Sequence, residues 1–246
     1  MDLLLEATHR AEREHFWFKG FRAFVGPAIA AATSGRERLR LLDCGCGTGV
    51  NLPALAAHGT AMGLDITWSG LRFAHDRGVA RLAQASVLDL PVANASIDVL
   101  TCFDVLQCFP PDRGVSVLRE FHRVVAPGGR MVLTVAALRM LWGDHSILAE
   151  EVHRYGRGEL RRAVEAAGFT VERLTFTNCS LFPIMATTRA LQRLRGLREA
   201  ADAQREITPP WRPVNVALTA LLRAEARLVR HVNMPLGSSL LVVARR

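Results

Sequence analysis

The sequence predicts an α/β protein built on a doubly wound, mostly parallel sheet, and three observations carry that expectation. From residue 39 onward, short apolar runs alternate with amphipathic stretches of helical period, the pattern of strand-helix-strand units. The first of these runs leads into "LLDCGCGTGVN", residues 41 to 51, where three glycines at alternating positions follow an aspartate. A chain of 246 residues, 50% apolar and 22% charged, is also long enough for one large and well-buried domain, or for two small ones.

Residues 2 to 32 read as two helices, "LLLEATHRAEREHFWF" and "FRAFVGPAIAAA", with Pro27 expected to kink or restart the second. After the turn "TSGRE", strands are expected at 39 to 44, 60 to 65, 80 to 86, 97 to 102 and 130 to 135. Helices fit between them at about 50 to 57, 68 to 77 and 112 to 125, and "APGGR" at 126 to 130 is a turn into the fifth strand. No helical or strand period claims residues 136 to 158, which are rich in Trp, His, Asp and Tyr. Long loops at the carboxyl ends of parallel strands are where ligands bind. A helix at 159 to 167 ends at Gly168, and a strand follows at about 169 to 176. Helices near 183 to 200 and 213 to 231 flank "TPPWRP", and "SSLLVVARR" reads as a final strand.

The formal charge of +8 admits an anionic partner, although Lys19 is the only lysine and the arginine excess also reads as compositional bias. Nine arginines between Arg189 and Arg230, against four acids, fall on amphipathic helices. They read first as a solvated face, with nucleic acid or weak contact with a membrane surface as the lesser alternatives. Five cysteines without framework spacing suit a reducing cytoplasm. Cys44 and Cys46 are one residue apart with no second pair near, so no metal site is expected. "MDLLLEATHR" is not a secretory leader, and no stretch approaches the ~18 apolar residues of a membrane-crossing helix, so a soluble cytoplasmic protein is expected. Nothing in the sequence bears on oligomeric state.

Glycines at 45, 47 and 49 let the backbone run flush against a ligand and expose amide groups at a helix start. A dinucleotide turn spaces them G-x-G-x-x-G to hold a pyrophosphate. Here G-x-G-x-G follows Asp43, an acid ill-suited to phosphate and well placed for an ammonium or a sulfonium. With "GLDIT" closing the second strand, the turn resembles that of the class I S-adenosylmethionine-dependent methyltransferases. "ASVLDLP", "SIDVLTCFDVLQC" and "RVVAPGGRMVLTV" resemble, in order, the family's adenine segment, its fourth strand and its turn into strand five. "HFWF" at 15 to 18, "LWGDHS" at 141 to 146 and "HRY" at 153 to 155 are similar to a subgroup of small bacterial members with an N-terminal "HWWF" element and a later "LW…HD…H-x-RRY" loop.

The resemblance implies a seven-strand Rossmann-like sandwich whose last strand is antiparallel, with extra helices at both ends. Residues 1–35 would form a helical lid and residues 36–246 the methyltransferase domain, with a helical insertion at about 180–235 walling part of the acceptor pocket. It implies S-adenosylmethionine as cofactor and S-adenosylhomocysteine as product. The implied cofactor-binding positions are Trp17, Arg22, Asp43, Gly45, Cys46, Gly47, Gly49, Asn51, Asp65, Ile66, Ser86, Val87, Phe103, Asp104 and Gln107. Asp65 stands where the family's acid bonds both ribose hydroxyls, and Arg22 is within reach of the cofactor carboxylate through a bidentate pair. The chain departs from the pattern at Ser86, where many relatives carry an aspartate, and at Gln107 and Cys108 in place of Glu-His. Ser146 and Glu151 replace an aspartate and a histidine, and His153 replaces an arginine.

Methyl transfer is an in-line displacement, so alignment and exclusion of water lower much of the barrier. A histidine suits the removal of the acceptor's proton, which nominates His145 as base with Tyr155 orienting, while Arg154 either binds an acidic group or braces the loop. The expected acceptor is a small molecule of specialised or lipid-linked metabolism, and the basic charge is compatible with an anionic one. A nucleic-acid methyltransferase is the first alternative; "CFDVLQ" lacks the Asn/Asp-Pro-Pro-aromatic turn, and "CFPP" lacks the Pro-Cys nucleophile. A cofactor-binding partner protein without turnover is the second, and a nicotinamide oxidoreductase a distant third.

Overall fold

A computed structural model describes residues 2–197 and 207–246. Seven strands form one sheet: β1 (Leu39–Cys44), β2 (Gly59–Asp65), β3 (Leu82–Gln84), β4 (Ile97–Phe103), β5 (Val125–Ala136), β6 (Thr170–Thr177) and β7 (Ser239–Arg245). Their order is β3-β2-β1-β4-β5-β7-β6, with β7 antiparallel to both of its neighbours and every other pairing parallel. The expected mixed seven-strand sheet is therefore present. Strand order reverses between β1 and β4, and in open α/β sheets the crevice outside the strand tips at such a reversal is the ligand site.

The helices are α1 (Asp2–Ala11), α2 (Phe16–Thr33), α3 (Leu52–Ala56), α4 (Trp68–Asp76), α5 (Pro111–Val124), α6 (Asp144–Leu148), α7 (Arg157–Ala166), α8 (Phe182–Arg195) and α9 (Arg212–Val229). Strands covered on both faces read as continuous apolar runs. Leu41 and Leu42 are both fully buried, but in different clusters, because successive side chains leave opposite faces of a strand. No helix of the described residues is long and apolar enough to cross a membrane.

Several expected boundaries move. The first helix stops at Ala11, and α2 begins at Phe16 with His15 as its cap, Nδ1 accepting from the Trp17 N–H at 3.1 Å. Histidine is not a usual cap residue, so the break carries no sequence signal. Burial holds His15 down to about 4, in the neutral form that can accept. Pro27 does not restart α2, which runs unbroken from residue 16 to 33. Phe24, Val25 and Ile29 are buried on either side of the proline, and that packing holds the helix where propensity would end it. β3 shrinks to three residues, and β5 begins at Val125, carrying residues 126–129 as a bulge between the pairs Ile97–Val125 and Val99–Arg130. The stretch expected to be irregular at 136–158 contains a 3-10 turn at Arg139–Leu141, the helix α6, and a bridge from Ala137 to Tyr155. α8 ends at Arg195; residues 198–200 of the helix expected there lie outside the described residues.

The two N-terminal helices differ in role. α2 contributes Phe24, Val25, Ile29 and Ala32 to the core beneath it. α1 lies beside the glycine turn, where Leu5 approaches Gly47.

Candidate active site

All three glycines of the turn adopt left-handed backbone, with φ of 73° at Gly45, 51° at Gly47 and 74° at Gly49, where a side chain would be strained. Space adds a second reason. A Cβ at Gly45 would stand 2.3 Å from Val105 Cγ2, and one at Gly49 would stand 2.5 Å from Ala74 Cβ. At Gly47 such a carbon would meet Leu5 Cδ2 of α1, at 3.2 Å, so the N-terminal helix approaches the middle of the turn. Cys46 packs inward, and Asn51 starts α3 without a capping side-chain bond.

Asp65, at the tip of β2, organises this turn. Its Oδ2 accepts the Gly47 N–H at 2.7 Å, and its Oδ1 accepts the Thr67 N–H at 2.8 Å and hydroxyl at 2.5 Å. A carboxylate offers about four lone-pair positions, so acceptor capacity remains for a ligand hydroxyl. The Asp65 carbonyl accepts from the Ala85 N–H at 3.0 Å, and Gln84 Nε2 donates to the Ile66 carbonyl at 2.9 Å. These bonds gather the exposed Ile66 with Ser86 and the buried Val87 at neighbouring strand tips.

Two further acids lie along the tips of β1 and β4. Asp43 is 1% exposed and accepts from the Thr101 hydroxyl at 2.6 Å. Burial pushes its carboxyl up to about 7 against the opposing pull of that bond, and the nearby Asp65 adds to the rise. Asp104 holds a left-handed φ of 55°, its N–H given to the Thr134 carbonyl at 3.0 Å and its Oδ1 accepting from the Thr134 hydroxyl at 3.1 Å. Surrounding protein pushes Asp104 up to about 6, the Thr134 bond opposing the shift, although solvent still reaches the residue. Asp104 thus presents an exposed carboxylate on left-handed backbone just beyond the tip of β4. Phe103, just before it, is edge-on to Phe21 of α2, with ring centroids 5.3 Å apart.

Beyond β5 the structure separates residues that the sequence grouped. Gln107 is buried; its Oε1 accepts from Ala136 N–H at 3.2 Å, and its carbonyl accepts from Val152 and His153 at 2.8 and 3.0 Å. It stitches the cleft floor together. Arg154 forms a buried bidentate pair with Glu151 at 2.7 and 3.1 Å and donates to the Ala137 carbonyl at 3.2 Å, so it braces the loop. Tyr155 was expected to orient an acceptor, yet it is 1% exposed in the core, and its hydroxyl faces Gly114 of α5 with no hydrogen-bond partner among the described residues. Burial raises it to about 12, with Glu159 adding to the shift. His153 is bonded to Glu159 at 2.7 Å and is edge-on to Tyr155. His145, half-buried, occupies the first turn of α6, whose Leu148 packs with Ala7 and Ala11 of α1. That contact brings His145 to the region beneath the covering helix.

The latch of that helix is a group the sequence reading missed. Glu12 is fully buried, accepts from the Thr48 hydroxyl at 2.6 Å and pairs with Arg77. Burial raises the Glu12 carboxyl in spite of the Thr48 bond and the Arg77 charge. His9 stacks on Phe73 at 4.2 Å, and Ser69 donates to Asp2 at 2.5 Å, so α1 is fastened to α4 along its length. A lone glutamate beyond a polar helix gives no signal of burial, whereas the spacing of Thr48 within the glycine turn was visible. Trp17 is half-buried in the first turn of α2, and Arg22 lies one turn on, beside α9. Burial raises the thiols of Cys44, Cys46, Cys102 and Cys108, which makes them poor nucleophiles.

Comparison with known proteins adds to this geometry. A family described as a methyltransferase domain matches residues 42–133. The 27-O-demethylrifamycin SV methyltransferase of Amycolatopsis mediterranei is 30% identical over 69% of this chain and 69% of its own length. The ubiquinone biosynthesis O-methyltransferase of Pseudomonas aeruginosa is 32% identical over 41% of this chain and 46% of its own, so the match spans under half of that relative. Among solved structures, an S-adenosylmethionine-dependent methyltransferase from Mesorhizobium loti has a TM-score of 0.57 at 19% identity, covering 89% of this chain and 96% of that one. The 4+2 cyclase SpnF has a TM-score of 0.59 at 19% identity, covering 91% and 80%. The likeness to these two structures is one of fold.

Proposed function

The chain belongs to the class I S-adenosylmethionine-dependent methyltransferases, and on that premise we propose that it methylates a small molecule of specialised or lipid-linked metabolism. The observation that carries the reading is the left-handed glycine turn tied by Gly47 to Asp65. Such a turn leaves bare backbone facing a ligand, with an acid, rather than a cation, at each adjoining strand tip. The donor set fits a positively charged sulfur nucleoside and not a pyrophosphate.

In this reading Asp65 holds the ribose, Ile66, Ser86 and Val87 border the adenine, and Asp104 receives the amino group of the methionine portion. Asp43 lies beneath the turn, where its ionised form is stabilised by a nearby cation. Trp17, Cys46, Asn51, Phe103 and Gln107 shape the walls. The cofactor's contribution is an electrophilic methyl group on a cationic sulfur. The chain's own part is to exclude water under α1 and to align the acceptor, with His145 taking the acceptor's proton. Tyr155 supports the loop from within the core instead of touching the acceptor.

Two relatives, named for rifamycin and for ubiquinone, support a small-molecule acceptor. Because the fold is shared with a cyclase, fold alone does not assign the reaction. The test is transfer of labelled methyl from S-adenosylmethionine into small-molecule extracts, run beside RNA. Label in the small-molecule fraction, reduced about 100-fold or more by His145→Ala with S-adenosylhomocysteine binding intact, supports the assignment. Label in RNA alone, or product binding without any turnover, refutes it.

A further inference from the structure

The seam between α2 and α9 holds a groove of about 680 Å3. Its floor includes Gly26 and Ala226, and its sides carry Arg22 from α2 and Arg223, Arg227 and Arg230 from α9. The spacing explains the grouping: positions 223, 227 and 230 recur at four and three residues, on one face of the helix. α2 contains no acid. The single acid of α9, Glu225, is turned away and accepts from the Cys179 and Ser180 N–H groups at 2.8 and 2.9 Å. Glu12, which acts on Arg22, is already engaged with Thr48 and Arg77. Among the described residues none of the four guanidinium groups has a carboxylate partner. A second, smaller hollow continues the seam past Lys19 and shares Arg223.

The exposed Arg223, Arg227 and Arg230 gather with Arg22, on which Glu12 acts as a counter-charge, and an anion placed among them relieves their repulsion. Guanidinium forks match phosphate oxygens in pairs. The volume is that of a small-molecule pocket, and the small apolar floor admits a carbon body beside the charged rim. We propose that this groove binds a phosphorylated small molecule, its phosphate held by Arg223 and Arg227 and its apolar part on the floor at Gly26. The two arginines assigned to the phosphate, Arg223 and Arg227, are not among the residues expected to hold the methyl donor, whereas Arg22 of the same rim is.

Binding would be measured by calorimetry near physiological salt with inorganic pyrophosphate, and by sedimentation with phosphatidic acid vesicles, which separates a free phosphate from a lipid headgroup. Saturable binding of either probe is expected. Arg223→Ala with Arg227→Ala should weaken it about 10- to 100-fold. A Cβ at Gly26 meets nothing within 4 Å, so Gly26→Leu fills the floor without altering charge and should cause a comparable loss. Replacing the exposed Arg113 and Arg119 of α5 by alanine removes the same charge elsewhere and should leave binding unchanged. S-adenosylhomocysteine affinity, read in every variant, should not move, which separates failure here from failure of the methyltransferase site. Absence of saturable binding to both probes, an equal loss in the α5 pair, or full binding by Gly26→Leu overturns the proposal.

Discussion

Asp43 and Asp104 give the cleft a pH signature. Burial raises the former to about 7 and the latter to about 6, from an ordinary 3.8. Between those limits each is protonated in the fold and ionised in the unfolded chain, so the native state binds more protons. Stability therefore falls as pH rises across the window. Solvent reaches Asp104, which makes Asp43 the larger contributor. Asp43→Asn, still accepting from Thr101, should flatten the decline in urea midpoint from pH 5 to 8; an unchanged slope would mean that Asp43 is not the buried acid responsible. At Tyr155, removing an unpartnered buried hydroxyl costs no hydrogen bond, so Tyr155→Phe should keep activity and hold or raise stability by roughly 1 kcal/mol. A large fall in kcat would return the residue to the acceptor site. Asp43 and the three glycines could be read from the sequence, since local chemistry demands them. The enclosure of Tyr155 could not, since Gly114, which its hydroxyl faces, lies 41 positions away in the chain.

At the scale of elements, α1 depends on a few fastenings rather than on a large apolar face. Only Ala7 and Ala11 of the helix are buried. Glu12→Ala would leave Arg77 and Thr48 without their carboxylate, and breaking a buried ion pair costs about 3–5 kcal/mol. Amide exchange over residues 2–11 should accelerate sharply while β1, β4 and β5 keep their protection, and unaltered exchange in α1 would contradict the latch. Strand positions along β1, β2 and β4 were legible because each carries a short, mostly apolar run between polar turns. The break between α1 and α2 was hidden, because His15 caps through a ring nitrogen and the periodicity continues through the aromatic stretch. Pro27 misled for the opposite reason: tertiary packing overrode a strong local breaker.

For the whole molecule, α2 is part of the core that covers the sheet. α2 packs its buried face on the sheet and takes Leu222 of α9 against Gly20, where a Cβ would stand 2.3 Å from Leu222 Cδ1. A fragment of residues 36–246 should accordingly lose cooperative unfolding, whereas one that begins at residue 13 should retain it; calorimetric scans of the two would show the difference. The strand number and the antiparallel last strand came from likeness to a family, and the strand order came from the structure, since periodicity alone does not order strands. The account as a whole rests on the glycine turn and Asp65 forming a seat for a sulfonium nucleoside, and titration calorimetry with S-adenosylhomocysteine tests this most directly. One saturable site is expected, weakened about 10- to 100-fold by Asp65→Ala. No detectable uptake by folded wild-type protein, or equal affinity in the Asp65 variant, would contradict it.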